Sequence, residues 1–434
     1  MDPKLAENYK LRKEDFTRNR SFTFASLAVF IINFVKKSLQ LELYSFADFL
    51  SIPSVSKQAF SQARKKLPPM IFILLNQELL KEFYSDNIIK TFKGLRVLAV
   101  DGSSLRLPVD DALQDHYGPV REFSKVPVAR TSTVFDVLNN ITLHGLIHDY
   151  WTSERSMVIE HFKELDQMNY ENQSFEDLYI FDRGYPATGL LFLLNETKKH
   201  FLMRIQEKFF SETTVAIKSG IHDSTVTISN FGKRTPLDSP FYEYMLGFPR
   251  DAKVQVRLLI FDLGEGKKEY IITSLLDQEK FTSEDIFKLY GMRWNIEEDY
   301  KFHKNIAEIE NFSGKSQIAI EQDFHATIFA CNISALLMLE AQEEVESEVQ
   351  EKNQLKKVDS IQKIPKYKYK INRNILIGTI KNEIIDILLS DKDLDEYCER
   401  LKKRIKKNLI AIRPGRKFSR TFRSIKSKVD RRAL

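Results

Sequence analysis

In the stretch YGMRWNIEEDYKFHK, residues Tyr290, Arg293, Glu297, Lys301 and Lys304 recur at helical spacing. At about 100° per residue they fall within roughly one quarter of a helical wheel, as one polar stripe. Such a stripe is commonly a solvated face carrying charge pairs. It gains chemistry if Glu297 is a metal ligand or base and Arg293, Lys301 and Lys304 grip an anion beside it. Two further acids can join it. Asp101 follows the apolar run RVLAV and precedes Gly102, where a sharp backbone turn is expected; Asp182 follows LYIF and precedes Arg183 and Gly184. Both are expected at strand ends on a sheet edge. Taken singly, an Asp there is usually a turn or capping residue. Taken with a helical Glu, the pair makes a carboxylate cluster. Oxygen ligands, with no Cys-rich or paired-His motif, favour Mg²⁺, with Mn²⁺ as substitute, over zinc. Two such ions would activate a water or a 3′-hydroxyl and stabilise the leaving oxygen of an in-line phosphoryl displacement. The chemistry is phosphodiester transfer, and crowded carboxylates need the cations to stay ionised together.

The elements that must position these acids follow from periodicity. Residues 1–90 read as helices, and FADFL, a turn at Pro53 and the helix SKQAFSQARKKL suit a helix-turn-helix-like DNA reader presenting Lys57, Gln58, Gln62 and Arg64. From Leu95 the pattern changes to short strands, LRVLAVDGSS, ARTSTVFDVLNN and ITLHGLIHDYW, with Asn139 and Asn140 in a hairpin turn. The helix SERSMVIEHFKEL, the strand DLYIFDRGY, the helix TGLLFLLNETKKH and the strand FLMRIQ follow. Three hairpin-linked strands, then helix, strand, helix and strand, predict an α/β fold with a mixed sheet, the order of a ribonuclease H-like core. Residues 205–268 interrupt it with β-like pieces, TTVAIKSG among them, and read as an inserted β subdomain. EYIITSL returns to the core, which spans 91–342, and one helix from near Ser283 carries the polar stripe. Residues 343–434 form a charged C-terminal region that is helical before a basic tail.

At 434 residues and 43% hydrophobic content, the chain can bury a large core in two or three domains. Two cysteines, Cys331 and Cys398, exclude a disulfide framework and suit a reducing compartment. The apolar run Phe22 to Val35 is shorter than the roughly 20 residues a membrane helix needs. Neither export nor a membrane anchor is expected, and the cytoplasm is the default. The net charge of +6 conceals an asymmetry, since Glu399 to Leu434 holds 15 Lys or Arg against 2 acids. A tail of that density binds polyanions by counterion release, nucleic acid above all.

Tyr290-x2-Arg293-x3-Glu297-x6-Lys304 resembles the YREK signature of DDE transposases of the insertion-sequence-four family. VDGSSLRLP and FDRGY are similar to that family's first and second Asp blocks, and the likeness reaches SLQLEL and SKQAFSQARKKL upstream and IRPGRKFSR downstream. The resemblance covers nearly the whole chain and implies a bacterial, nucleoid-associated insertion-sequence transposase. It implies cut-and-paste transposition of double-stranded DNA by a homodimer in a synaptic complex on terminal inverted repeats. Strand nicking, a hairpin intermediate and 3′-OH joining to target DNA would follow. Asp101, Asp182 and Glu297 would hold the two metals, and Tyr290, Arg293, Lys301 and Lys304 the phosphates near the cut. Arg204 stands where the family carries a DNA-contacting arginine. The chain departs from relatives that stack a flipped base on a tryptophan of the inserted subdomain: its tryptophans are Trp151 and Trp294, and Tyr270 is the nearest aromatic to that place. The rival readings are a catalytically silent DNA-binding descendant and a nuclease that cuts without joining.

Overall fold

The computed structural model describes residues 8–17, 21–33, 38–85, 89–120, 124–168, 170, 175–230, 235–358, 368–389 and 394–412. Among the described residues, the elements with defined bounds begin with the helices α1 (Phe24–Ile32), α2 (Leu39–Leu50), α3 (Lys57–Arg64) and α4 (Met70–Ser85). α1 begins at a reciprocal cap, in which the Thr23 and Ser26 side chains each accept the other's backbone N–H. The next elements are β1 (Leu95–Arg106), α5 (Asp111–Tyr117), β2 (Val128–Asp136), β3 (Ile141–Asp149), α6 (Glu154–Leu165), β4 (Glu176–Phe181), α7 (Thr188–Glu196) and β5 (His200–Ile205). After them come α8 (Ser211–Lys218), β6 (Asp223–Ser229), α9 (Tyr242–Leu246), β7 (Lys253–Asp262), β8 (Lys268–Thr273), α10 (Ser283–Gly291) and α11 (Trp294–Asn305). The remainder is α12 (Gln317–Val358), β9 (Lys368–Ile371), α13 (Arg373–Leu389), α14 (Leu394–Lys406) and β10 (Leu409–Ile412).

One mixed sheet of eight strands organises the molecule, in the order β3-β2-β1-β4-β5-β8-β7-β6. β1, β2 and β3 pair antiparallel, while β1, β4 and β5 run parallel, so the first five strands fit a ribonuclease H-like core. Leu95 to Val100 of β1 are all buried, as a central strand covered on both faces requires. One face packs against α6 and α7 through Val158, Phe162, Leu190 and Leu191, the other against α10 and α11 through Ile286, Leu289 and Ile296.

Residues 205–268 contribute β6 and β7, which continue the core sheet beyond β8 by backbone pairing. TTVAIKSG, expected as a strand, lies largely in α8 and ends in a turn. Its β-branched residues only weakly oppose a helix, and hydroxyls of Thr213 and Thr214 donate to the Phe210 carbonyl at its start.

The ends of the described chain share a core. Phe30, Phe46 and Phe60 of α1 to α3 pack in one cluster with Ala330 and Leu337 of α12, Ile380 and Ile384 of α13 and Leu401 of α14. Within α12, Gln317–Gln350 is long and apolar enough to cross a membrane, yet 67% of its most apolar window is buried inside the fold. Its apolar surface is thus largely spent on core packing.

Candidate active site

The parallel ladder of β1 and β4 ends at Val100 opposite Phe181, and the next residue on each strand is an aspartate, Asp101 and Asp182. Side-by-side placement follows from that register. Asp101 is not at a strand end, as expected from sequence, because β1 runs on to Arg106 along β2, with Asp101 opposite Thr133. The expected sharp turn at Gly102 is likewise absent, and Gly102 is not among the glycines with positive φ. The glycine leaves room for the Glu154 carboxylate: a Cβ on it would lie 2.3 Å from Oε1 of Glu154 and would displace that side chain.

The Gly102 N–H donates to Asp101 Oδ1 at 2.9 Å, and the Gly184 N–H to Asp182 Oδ1 at 2.7 Å. Burial, with the like charges of Asp182 and Glu154, pushes the Asp101 carboxyl up to about 7, against the Gly102 N–H and Arg293, which pull it down. The first acid is therefore short of positive charge.

The polar stripe is not one helix. α10 ends at Gly291, and α11 starts at Trp294 after a tight turn in which the Arg293 N–H donates to the Tyr290 carbonyl. The turn brings the Arg293 guanidinium between two of the acids, 2.8 Å from Glu297 Oε1 and 3.9 Å from Asp101 Oδ2. Lys304 reaches β1, donating to Ser103 Oγ at 2.7 Å and the Ser104 carbonyl at 2.8 Å, and burial pushes its ammonium down. Lys301 is half-exposed, paired with Glu298 and 5.4 Å from the Trp294 ring centre. Tyr290 is 7% exposed, and burial pushes its phenol up to about 12, with Arg293, Glu269, Arg204 and Asp182 as charged neighbours. Arg204 pairs with Glu269 at 3.4 Å, so it stands beside Tyr290 at the margin of the site. Tyr270 lies opposite Ile205 in the ladder of β5 and β8 and is partly buried.

Of the residues expected on the DNA-reading helix α3, Gln58 and Gln62 are exposed and Lys57 is partly so. Arg64, expected on that exposed face, does not face solvent. It is buried, with Nη2 at 2.9 Å from Asp323, Nε donating to Gln322 Oε1 at 2.8 Å and Nη1 to Ser313 Oγ at 2.9 Å. It joins α3 to α12. Truncating one side of a buried ion pair leaves the other charge uncompensated, so Arg64→Ala is expected to cost about 3–5 kcal/mol in urea unfolding. An unchanged unfolding midpoint with weakened DNA binding would return Arg64 to the DNA surface. Four basic residues of the described part of the tail are also paired internally: Lys402 and Lys406 meet Glu344 at 2.8 and 2.7 Å, and Arg400 and Arg404 meet Glu383. Residues 413–434, with much of IRPGRKFSR, lie outside the described residues.

Sequence reasoning missed several groups. Tyr300, one helical turn beyond Glu297, donates its hydroxyl to the Asp101 carbonyl at 2.8 Å and accepts from Thr133 Oγ1 at 3.0 Å, which docks α11 on β1. Glu154 touches Gly102 and pairs with Arg130 at 3.2 Å. Its only sequence signal, Ser153-Glu154, reads as the start of a helix, and Ser153 does cap α6. Beneath the acids, His144 Nδ1 lies 2.8 Å from His161 Nδ1, and His161 Nε2 lies 2.9 Å from Ser132 Oγ, whose hydroxyl donates to the Asp101 carbonyl. One proton arrangement satisfies this chain: both rings neutral, His144 donating to His161 and His161 to Ser132.

Among the described residues, no three His, Cys, Asp or Glu side chains hold a metal-binding arrangement as they stand. The donor set still fits a hard divalent cation in kind, since its groups are carboxylate oxygens and Asp101 is raised by burial first and then by Asp182 and Glu154, a strain that cationic charge relieves.

Against known proteins, the transposase DDE domain profile matches residues 92–333, which contain all three acids. Among solved structures, a cryo-EM piggyBac transposase synaptic complex with hairpin DNA aligns at 10% identity with a TM-score of 0.42, covering 91% of this chain and 79% of that one. Comparison with curated proteins finds no match. The first two acids lie side by side and Arg293 bridges the third to Asp101, and because the profile spans more than half of the chain, the chain belongs to the DDE transposases, enzymes that cut and join DNA.

Proposed function

We propose that the chain is an insertion-sequence transposase of the insertion-sequence-four family, excising its element by cut-and-paste through a hairpin. The observation that carries this reading is Arg293 set between Asp101 and Glu297, with Asp182 beside Asp101. Asp101, Asp182 and Glu297 would hold two Mg²⁺ ions, or Mn²⁺ in their place. When bound, these ions supply an activated water or 3′-hydroxyl and stabilise the leaving oxygen. Arg293, Lys301 and Arg204 present positive charge to the scissile phosphate, and the Tyr290 phenol is a close neighbour of Arg293. Lys304 holds β1 against α11 and lies within reach of the strand. Tyr270 is the aromatic proposed to stack a flipped base.

Residues 1–90, through Lys57, Gln58 and Gln62, contribute to gripping the terminal inverted repeats. Residues 91–342 catalyse, with 205–268 as the insertion, and 343–434 serve DNA binding or dimerisation. The enzyme works as a homodimer in a synaptic complex, in the cytoplasm on nucleoid DNA.

The test is a duplex bearing the element's own terminal repeat, incubated with the full chain and Mg²⁺ or Mn²⁺, with binding followed in parallel. Nicked, hairpin and joined products that vanish on chelation are the expected outcome. Binding without cutting under either metal favours a silent descendant, and cutting without joined product favours a plain nuclease.

A further inference from the structure

The geometry points to Glu154 as a fourth acid of the centre, one that holds a divalent cation together with Asp101 and Asp182. The inference rests on the metal-dependent reading above and extends it to a residue outside the three expected acids.

Four observations converge. α6 starts so that the Glu154 carboxylate lies over Gly102, in space that any side chain at position 102 would fill, since a Cβ there would lie 2.3 Å from Glu154 Oε1. The acid thus abuts the residue next to Asp101. Its second close neighbour in charge is Asp182, whose repulsion adds to burial in raising the Glu154 carboxyl, while Arg130 lowers it. Each of the three acids has one oxygen hydrogen-bonded, Asp101 to the Gly102 N–H, Asp182 to the Gly184 N–H and Glu154 to Arg130, and the other Asp101 oxygen lies 3.9 Å from Arg293. Arg130 supplies the cationic charge that Glu154 has in this structure.

The fourth observation concerns neither acid nor base. Tyr185 is 1% exposed, and its hydroxyl has no hydrogen-bond partner among the described residues. The charged and polar groups that bear on that hydroxyl are Glu154, Asp101, Tyr300 and Asp182. A phenol buried without a partner loses the hydrogen bonds it had in water, so such groups are rare unless something else completes them. Here the charges acting on it are those of the acidic centre. A hydrated cation between Asp101, Asp182 and Glu154 would bring a water to partner it.

Arg130 and the cation then compete for Glu154. A purely structural ion pair makes Glu154→Gln and Arg130→Gln equivalent, because either removes the same contact. A cation-holding acid makes them opposite.

The experiment is calorimetric titration of Mn²⁺ into the full chain without DNA, for the natural protein, Glu154→Gln, Arg130→Gln and Asp101→Asn. Glu154→Gln is expected to weaken Mn²⁺ binding by more than about tenfold, the lower bound for groups merely supporting a metal site. Arg130→Gln is expected to leave it unchanged or tighter. Equal losses in both, or natural affinity in Glu154→Gln, overturn the inference provided Asp101→Asn has lost binding. If Asp101→Asn also binds Mn²⁺ as the natural protein does, the carboxylate centre itself is misassigned. Should Glu154→Gln fail to fold, Gly102→Ala, whose methyl displaces the Glu154 carboxylate, is read in its place, and natural affinity there overturns the inference equally.

Discussion

Asp101→Asn is expected to abolish DNA cutting and, in the same protein, to raise the melting temperature measured in chelator. Cutting falls by more than about a hundredfold, because groups that only support a metal site already cost 10–100-fold. The stability gain has a separate origin. Burial and the neighbouring acids raise this carboxyl from 3.8 to about 7, so folding near neutral pH must ionise a group the fold disfavours. At about 1.4 kcal/mol per pKa unit, and allowing for a side chain still 19% exposed, the penalty is about 2–4 kcal/mol. A folded pKa above the unfolded one means the penalty is absent below about pH 4, grows as pH rises and is complete above about pH 7. The melting curves of the two proteins should therefore converge at low pH and separate at high pH. An Asn variant that melts at or below the natural protein at about pH 8 in chelator would remove the strain from the account. Glu297→Ala is expected to lose cutting as fully without the gain, because Glu297 already has the Arg293 guanidinium at 2.8 Å.

The second large effect is acid sensitivity beneath the site. Burial pushes the His144 ring down to about 4, and it holds His161, enclosed beside it, well below the usual range as well. Their Nδ1 atoms, 2.8 Å apart, cannot both carry a proton. A histidine whose folded pKa lies below its unfolded value leaves the fold unaffected above about pH 6.5. As pH falls from there towards about 4, the unfolded chain takes up a proton that the fold refuses, and stability is lost. For His144, about 5% exposed, the loss reaches about 3 kcal/mol by about pH 4. Asp101 and Asp136, both raised, work in the opposite direction over overlapping pH windows, so the histidine contribution is read as a difference between proteins. His144→Gln can still hydrogen-bond His161 but cannot take up a proton. Its unfolding free energy relative to the natural protein should improve by about 3 kcal/mol between about pH 7 and pH 4. Parallel pH profiles for the two proteins would show that His144 is not held neutral.

The groups read from sequence and those missed by it differ in how far their surroundings lie along the chain. RVLAV and LYIF are apolar runs that read as central strands wherever they occur, so the acids that follow them were legible, and Arg293 and Glu297 are one helical turn apart. The order of the first five strands followed from the same local patterns. What local pattern does not carry is the company of a polar side chain. Arg64 sits on a helix that reads as a DNA-facing surface, yet its partner Asp323 is 259 residues away. Lys402 and Lys406 read as tail charges until α12 places Glu344 against them. TTVAIKSG carries strand-like residues and is mostly helix, because β propensity reflects packing against neighbours more than the backbone's own preference.

The sequence by itself determined the pattern of candidate groups: two aspartates after apolar strands, a glutamate on a helix, and basic residues at helical spacing around it. Only the tertiary structure decided the environment of those groups. It extended the sheet through β7 and β6, joined the chain's two ends in one core, broke the stripe at Gly291 so that Arg293 bridges two acids, and brought Glu154 over Gly102. The physical reason is that spacing along a strand or helix is set by backbone geometry, whereas burial and charge pairing depend on which distant segments close around a residue.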